Sequence, residues 1–189
     1  MQQISPKQRY EEDLSKPGFQ PDLAQAHAVA KLQDLYDRLV EREIGQLSAT
    51  ARLRRIFSET KKPEQGLYFW GGVGRGKTYL VDVFYESLPF EAKLRVHFHR
   101  FMQRVHQELT VLAGEKNPLE KVAAGIAAEA RVICFDEFFV SDIADAMILA
   151  GLMTALFRRG VTLVATSNIE PCDLYKDGCR GRDSYPQFN

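Results

Sequence analysis

Short apolar runs alternate along the chain with segments in which apolar residues recur at helical spacing. The runs predict strands at 66–70, 94–99, 131–135 and 161–166. The periodic segments predict helices at 22–41, 79–88, 101–112, 118–129 and 142–159, the last of them capped by Ser141 and ended by Gly160. Strands that alternate with helices are typical of right-handed βαβ units. The pattern therefore predicts a three-layer α/β fold around a mostly parallel sheet.

Two segments near the N-terminus fall outside this alternation. Residues 1–20 are polar and contain Pro6, Pro17 and Gly18, which favours a loose N-terminal arm before a core domain at 21–178. Residues 45–65 lose the helical period and are rich in arginine and lysine. This second segment is interpreted as a solvated connector or, alternatively, as a basic patch that contacts an acidic partner.

Charge and cysteine content narrow the class of protein. Acidic and basic residues balance at 25 each, so no global field attracts nucleic acid, and no nucleic-acid partner is expected. The three cysteines are too scattered for a disulfide framework, which favours a reducing, cytoplasmic location, and Cys134 reads as a small buried hydrophobe. The longest apolar run, at 146–157, is too short to span a bilayer, so no transmembrane segment is expected.

Candidate chemistry begins after the first predicted strand. Residues 71–78 read Gly-Gly-Val-Gly-Arg-Gly-Lys-Thr, a complete G-x-x-x-x-G-K-[ST] phosphate loop between a strand and a helix. A glycine-rich turn lets the backbone wrap closely enough to aim several N–H groups at one phosphate. Lys77 is expected to neutralise the β- and γ-phosphate oxygens, and the Thr78 hydroxyl to ligate Mg²⁺.

A nucleotide with Mg²⁺ is therefore the predicted ligand of this loop, and ATP is the nucleotide that a family resemblance of the same motifs implies. The predicted nucleotide contacts are the loop and the two residues that follow its lysine: Gly71, Gly72, Val73, Gly74, Arg75, Gly76, Lys77, Thr78 and Tyr79. For Arg75 there is an alternative, in which its side chain simply points to solvent.

Polar residues also end the third and fourth predicted strands. Asp136 and Glu137 follow an apolar strand, and Asn168 follows the next one. In open parallel sheets, ligands bind beyond the carboxyl ends of the strands. Asp136 is expected to hold Mg²⁺ through a water, Glu137 to polarise the attacking water, and Asn168 to contact that water or the γ-phosphate. Ordinary solvated turns are the alternative reading.

These motifs together resemble the AAA+ class of P-loop ATPases. Within that class, three stretches are similar to the ZapE cell-division ATPase family: 66–85, 96–109 and 134–145. The resemblance implies an ATPase that acts on polymers of the tubulin-like protein FtsZ at the division site. It also implies that Lys77, Glu137 and Asn168 serve catalysis, that Thr78 and Asp136 serve the metal, and that Gln25 lies near the adenine.

The last residues depart from the family pattern. After residue 178 the family continues into a fifth strand and a helical lid domain, whereas residues 179–189 resemble a frameshifted tail. The chain is therefore expected to be a truncated ATPase core that lacks the lid and the arginine finger. Without a fifth strand, the first strand is expected to form an exposed edge that favours self-association.

Two questions stay open at this level. His97 and His99 are placed on one strand face, where packing or partner contact is favoured over metal binding because no cysteine or acid lies at ligand spacing. The same motifs also fit a helicase-loader-type AAA+ ATPase that binds single-stranded DNA. A nucleotide-binding interaction module without turnover is a third reading.

Overall fold

The computed structural model describes residues 4–19, 21–47, 63–140 and 142–174. Three sequence-based predictions fall outside these ranges. They concern most of the basic segment within 45–65, the capping role of Ser141, and the tail at 179–189.

The observed elements follow the predicted alternation closely. The strands are β1 (Leu67–Trp70), β2 (Lys93–His97), β3 (Val132–Asp136) and β4 (Thr162–Ser167). The helices are α1 (Pro6–Leu14), α2 (Leu23–Leu47), α3 (Lys77–Ser87), α4 (Phe98–Val111), α5 (Pro118–Glu129) and α6 (Ile143–Arg158), followed by a short 3₁₀ turn at Pro171–Asp173. Helix α6 is capped by Asp142, whose carboxylate accepts a hydrogen bond from the Asp145 N–H at 2.9 Å.

All strand pairs in the sheet are parallel, and their order is β1-β4-β3-β2. Strand β4 lies between β1 and β3, with Trp70 opposite Ser167, and β2 lies outside β3, with His97 opposite Asp136. Because the strands are parallel, their carboxyl ends meet at one edge of the sheet. The predicted α/β fold with a parallel sheet is confirmed.

Helices cover both faces of this sheet. In β3, Val132 and Cys134 face a core shared with α1, α2 and α3, whereas Ile133 and Phe135 face a core shared with α4, α5 and α6. Cys134 is fully buried, as predicted, and burial raises the pKa of its thiol to about 12. None of the described helices is long and apolar enough to cross a membrane.

The N-terminal segment is more ordered than the predicted loose arm. Ser5 caps α1 through a reciprocal box with Gln8, and Tyr10 of this helix is buried. The Phe19 ring lies 5.3 Å from the Tyr79 ring, and the Tyr79 hydroxyl donates to the Asp13 carboxylate at 2.5 Å. Burial is the main cause that raises the pKa of Tyr79, and this hydrogen bond is the second. The segment is thus packed against the helix that follows the phosphate loop.

Strand β1 lies at the edge of the described sheet. It pairs with β4 on one side, and residues of β1 and α2 together line a groove of about 420 Å³. Trp70, at the end of β1, is 52% exposed. An edge of this kind presents N–H and C=O groups that another strand can bind.

We expect the backbone amides of β1 that point away from β4, every second one of residues 67–70, to be protected from hydrogen exchange in the purified chain. The covering strand would come from a second copy or from chain segments outside the described ranges, because an apolar strand with a bare edge is prone to pairing. Light scattering over a range of concentrations separates these two sources. A monomer in which these amides exchange rapidly would contradict both.

Candidate nucleotide-binding site

The predicted functional residues lie along the edge where the parallel strands end. The loop 71–76 follows β1, Asn168 follows β4, and Glu137 follows β3. Because β4 lies directly between β1 and β3, the loop is brought next to Asn168, and Asn168 next to the Asp136-Glu137 pair. The sheet order therefore gathers residues that are about 90 positions apart in the sequence.

Glycine conformations shape the loop itself. Gly71, Gly74 and Gly76 have φ angles of 137°, 85° and 78°, in the region that favours glycine. Gly76 precedes the first turn of α3, and a Cβ at this position would lie 2.7 Å from the Gln25 side-chain nitrogen. The backbone conformation favours glycine at position 76, whereas the nearby Gln25 amide is the end of a flexible side chain that can shift.

Lys77 lies at the centre of the loop. Its ammonium group donates to the carbonyls of Gly71 and Gly72 at 2.6 and 2.9 Å, and to the Asn168 side-chain oxygen at 3.1 Å. Partial burial lowers the pKa of Lys77 from its usual value. The contact with Asn168 directly joins two residues that sequence analysis placed in one site.

The remaining loop residues differ in their surroundings. Val73 is 88% exposed, and Gly72, Gly74, Arg75 and Thr78 are also exposed. The Arg75 carbonyl accepts a hydrogen bond from the Gln25 side chain at 3.2 Å. Tyr79 is half-buried and directs its hydroxyl to α1. The roles of these residues in binding nucleotide stay predictions.

Asp136 ends β3 with its side chain largely buried. Both of its carboxylate oxygens accept hydrogen bonds from Arg95 on β2, at 2.9 Å from Nε and 3.2 Å from Nη2. The third guanidinium nitrogen, Nη1, pairs with Asp82 on α3. A charge-assisted pair with two parallel N–H bonds fixes the orientation of a carboxylate better than a single contact does.

Glu137 has an unusual backbone. Its φ angle is 56°, in the left-handed region that non-glycine residues seldom adopt. Its N–H donates to the Thr166 hydroxyl at 3.3 Å, and the next N–H, of Phe138, donates to the Thr166 carbonyl at 2.7 Å. These bonds hold the carboxylate, which is 77% exposed, on the open side of the sheet edge. Strained backbone of this kind is concentrated at functional sites.

The histidine-rich segment differs from its prediction. Strand β2 ends at His97 and α4 begins at Phe98, so His99 is helical and does not share a strand face with His97. Their rings nevertheless lie 5.9 Å apart, and His97 Nδ1 lies 4.0 Å from the Glu137 carboxylate. His106 pairs with Asp145 at 2.6 Å. Among the described residues, no histidine belongs to a group of three potential metal ligands.

The donor set fits a nucleotide with Mg²⁺. Cβ atoms built at Gly71, Gly72 and Gly74 would meet nothing within 4 Å, so the loop faces open space into which its backbone can cradle phosphate. Lys77 supplies a positive charge beside this space. Thr78 and Asp136 offer a hydroxyl and a carboxylate, the hard oxygen ligands that Mg²⁺ prefers. The Gln25 side-chain oxygen is buried without a hydrogen-bond partner in the described structure, beside the same loop.

Two residues of this site escaped the sequence analysis. Arg95 and Asp82 form an ion-pair chain with Asp136, although neither belongs to a recognisable motif. A signal for Arg95 was present in the sequence, because a charged residue inside a strand of a parallel sheet requires a partner when it is buried. Its partners could not be found from spacing, since they lie on two other elements.

The parallel sheet, the phosphate-loop sequence after β1 and the polar strand ends together give the protein the arrangement of a P-loop α/β fold. The chain belongs to the AFG1-like ATPase family, which its sequence matches over residues 4–188. It is 52% identical to the cell division protein ZapE of Escherichia coli K12 over 185 residues, which cover 94% of this chain and 49% of that protein. The resemblance to the ZapE family is thus confirmed.

Relatives also occur in eukaryotes. The chain is 40% identical over 156 residues to the uncharacterized protein C115.02c of Schizosaccharomyces pombe, covering 74% of this chain and 34% of that one. It is 46% identical over 132 residues to lactation elevated protein 1 homolog B of Danio rerio, covering 64% and 26% of the two chains. The chain therefore spans about half the length of the ZapE relative, and less of the other two.

Solved structures share the fold at low identity. AMPPCP-bound DnaA from Aquifex aeolicus matches with a TM-score of 0.57 and 12% identity, covering 93% of this chain and 45% of DnaA. DnaI matches with a TM-score of 0.50 and 18% identity, covering 85% and 76% of the two chains. At such identities the likeness shows the fold alone.

Proposed function

We propose that this chain binds ATP with Mg²⁺ and hydrolyses it at the edge of the sheet where β1, β3 and β4 end. The observation that carries the proposal is the 3.1 Å contact between Lys77 and Asn168, which joins the phosphate loop to the end of β4. Membership of the AFG1-like ATPase family supports the same activity. When bound, ATP supplies the phosphoryl group that is transferred to water, and Mg²⁺ neutralises charge on its phosphates.

Each side chain has a distinct task in this proposal. The loop N–H groups and Lys77 hold the phosphates, while Thr78 and Asp136 hold the metal. Glu137, exposed at the end of β3, orients a water and accepts its proton. Asn168, which accepts a hydrogen bond from Lys77, senses the terminal phosphate in this proposal. These tasks match the residue types and their order along the edge.

The proposed partner is the division polymer FtsZ, in the cytoplasm at the division site. Support comes from the 52% identity to a cell division protein and from the three ZapE-like stretches of the sequence. The balanced charge of 25 acidic and 25 basic residues does not favour binding to single-stranded DNA. No feature of the described residues favours the helicase-loader alternative over the FtsZ proposal.

Cosedimentation tests the partner without requiring turnover. We expect more of the chain to pellet with FtsZ polymers when ATP is present than in the same polymerisation buffer without ATP. We expect single-stranded DNA not to compete with this binding. Bovine albumin added at the same mass controls for trapping in the pellet. Retention by single-stranded DNA, with no FtsZ-dependent pelleting, would reverse the choice of partner and favour the helicase-loader reading.

A further inference from the structure

An ion-pair chain crosses three elements beneath the candidate site. The Arg95 guanidinium on β2 uses Nε and Nη2 for the Asp136 carboxylate, and Nη1 for Asp82 on α3. Only 19% of the Arg95 side chain and 12% of the Asp136 side chain are exposed. The Arg95–Asp136 pair is therefore screened by salt far less than a surface pair is, whereas the Asp82 side chain is 44% exposed.

Asp82 connects this chain of ion pairs to α3, the helix that follows the phosphate loop. It follows Thr78 by four residues on α3, so the two side chains lie on one face of that helix, one turn apart. The opposite end of the chain is Asp136 itself. Arg95 therefore links the elements that carry the two proposed metal residues, Thr78 and Asp136, although it belongs to neither element.

We propose that Arg95, anchored by Asp82, is a positioning residue that sets the placement of Asp136 relative to Thr78 and thereby determines how strongly Mg²⁺ supports nucleotide binding. This inference rests on the proposed nucleotide site. Arg95 itself touches neither nucleotide nor metal in this account. It acts through the carboxylate that it holds.

Charge and geometry both favour this role. Two carboxylates and one guanidinium leave a net charge of −1 in the chain (−2 from Asp82 and Asp136, +1 from Arg95), so negative charge remains for a cation. The paired N–H groups of Arg95 fix the plane of the Asp136 carboxylate, which a lysine could not do. Outer residues that orient metal ligands typically change metal affinity by about 10–100-fold when they are replaced.

The test is calorimetry of a non-hydrolysable ATP analogue, measured once with Mg²⁺ and once with EDTA. In the parent chain we expect Mg²⁺ to tighten binding. In Arg95→Gln we expect that gain to fall by about 10–100-fold, while affinity in EDTA stays within about twofold of the parent. Arg95→Lys should be intermediate, because it keeps the charge and loses the paired geometry.

Two further variants keep the test decisive. Asp82→Asn retains the Arg95–Asp136 pair, and we expect a smaller loss of the Mg²⁺-dependent gain in the same direction. It also serves if Arg95→Gln proves unfolded by circular dichroism. Arg104→Gln is the matched control, since Arg104 on α4 also pairs with two carboxylates, those of Glu108 and Glu129. It should leave the Mg²⁺-dependent gain unchanged.

The outcomes separate this inference from the function on which it rests. A parent chain that binds no nucleotide, or binds it equally with and without Mg²⁺, overturns the proposed function. A parent with a clear Mg²⁺-dependent gain that Arg95→Gln and Asp82→Asn both preserve overturns the positioning role alone. An equal loss in Mg²⁺ and in EDTA also overturns it, because a general disturbance of the fold would have that effect.

Discussion

Replacement of Glu137 by glutamine is expected to leave ATP binding intact and to slow hydrolysis by about 10²–10⁴-fold. The amide keeps the size and shape of the carboxylate but cannot accept a proton from water. The backbone that presents this side chain is held by Thr166 through bonds that do not involve the carboxylate, so the substitution should not disturb it. Single-turnover hydrolysis and calorimetry on the same preparation measure the two effects separately.

Glu41→Gln is the control for this experiment. Glu41 is exposed on α2, so its replacement by glutamine repeats the same chemical change away from the sheet edge. Turnover by Glu137→Gln that equals the parent would exclude Glu137 as the base. A parallel loss of ATP affinity would instead point to a role for its carboxylate in holding the nucleotide.

Replacement of Lys77 by alanine is expected to weaken ATP binding by roughly 30-fold to several thousand-fold, which corresponds to about 2–5 kcal/mol for loss of one partner of a desolvated charge pair. The Lys77 ammonium group is held within the loop by hydrogen bonds to the carbonyls of Gly71 and Gly72. The substitution removes the positive charge that is proposed to face the phosphates, and it also removes the two hydrogen bonds to the loop carbonyls. Calorimetry with ATP and Mg²⁺ gives the change in affinity.

Lys77→Met separates the two contributions, because methionine keeps the length of the side chain without its charge. We expect it to lose nearly as much affinity as Lys77→Ala. Lys116→Ala, which removes an exposed lysine from the loop before α5, should bind ATP like the parent. Unchanged affinity in both Lys77 variants would show that ATP is not held through the charge of Lys77.

The sequence predicts the fold and the position of the glycine-rich turn after β1 well, because both are encoded locally. Apolar runs bounded by polar strand ends located β1, β3 and β4 to within one or two residues. The loop glycines reveal their backbone conformation by their residue type, and Lys77 and Thr78 follow at fixed spacing. Asn168 could be placed near the loop because parallel strands end at one edge.

Features that depend on two or more distant elements could not be predicted in this way. The chain from Asp82 through Arg95 to Asp136 joins three elements, and no spacing rule connects them. The left-handed backbone at Glu137 is held by hydrogen bonds that its N–H and the Phe138 N–H donate to Thr166 in β4, so its residue type does not reveal it.

Helix α1 is a different case, because its signals were present in the sequence. Ser5 and Gln8 form a capping box, and Pro6 lies at the first helical position. The polarity of residues 1–20, together with Pro17 and Gly18, instead favours a loose arm at the level of the sequence. Tertiary packing of Tyr10 and Phe19 then stabilises a helix of only nine residues.

The ends of β3 and β4 are joined by several hydrogen bonds. Besides the bonds from Glu137 and Phe138 to Thr166, the Ser167 hydroxyl donates to the Phe138 carbonyl at 2.7 Å and accepts from the Ile169 N–H at 3.1 Å. Asn168 lies between these anchor points. Ser167 and Ile169, which flank Asn168, are therefore joined through the Ser167 hydroxyl to Phe138, the residue that follows Glu137. Under the proposed function, recognition of the terminal phosphate by Asn168 and alignment of a water by Glu137 share this one network of hydrogen bonds.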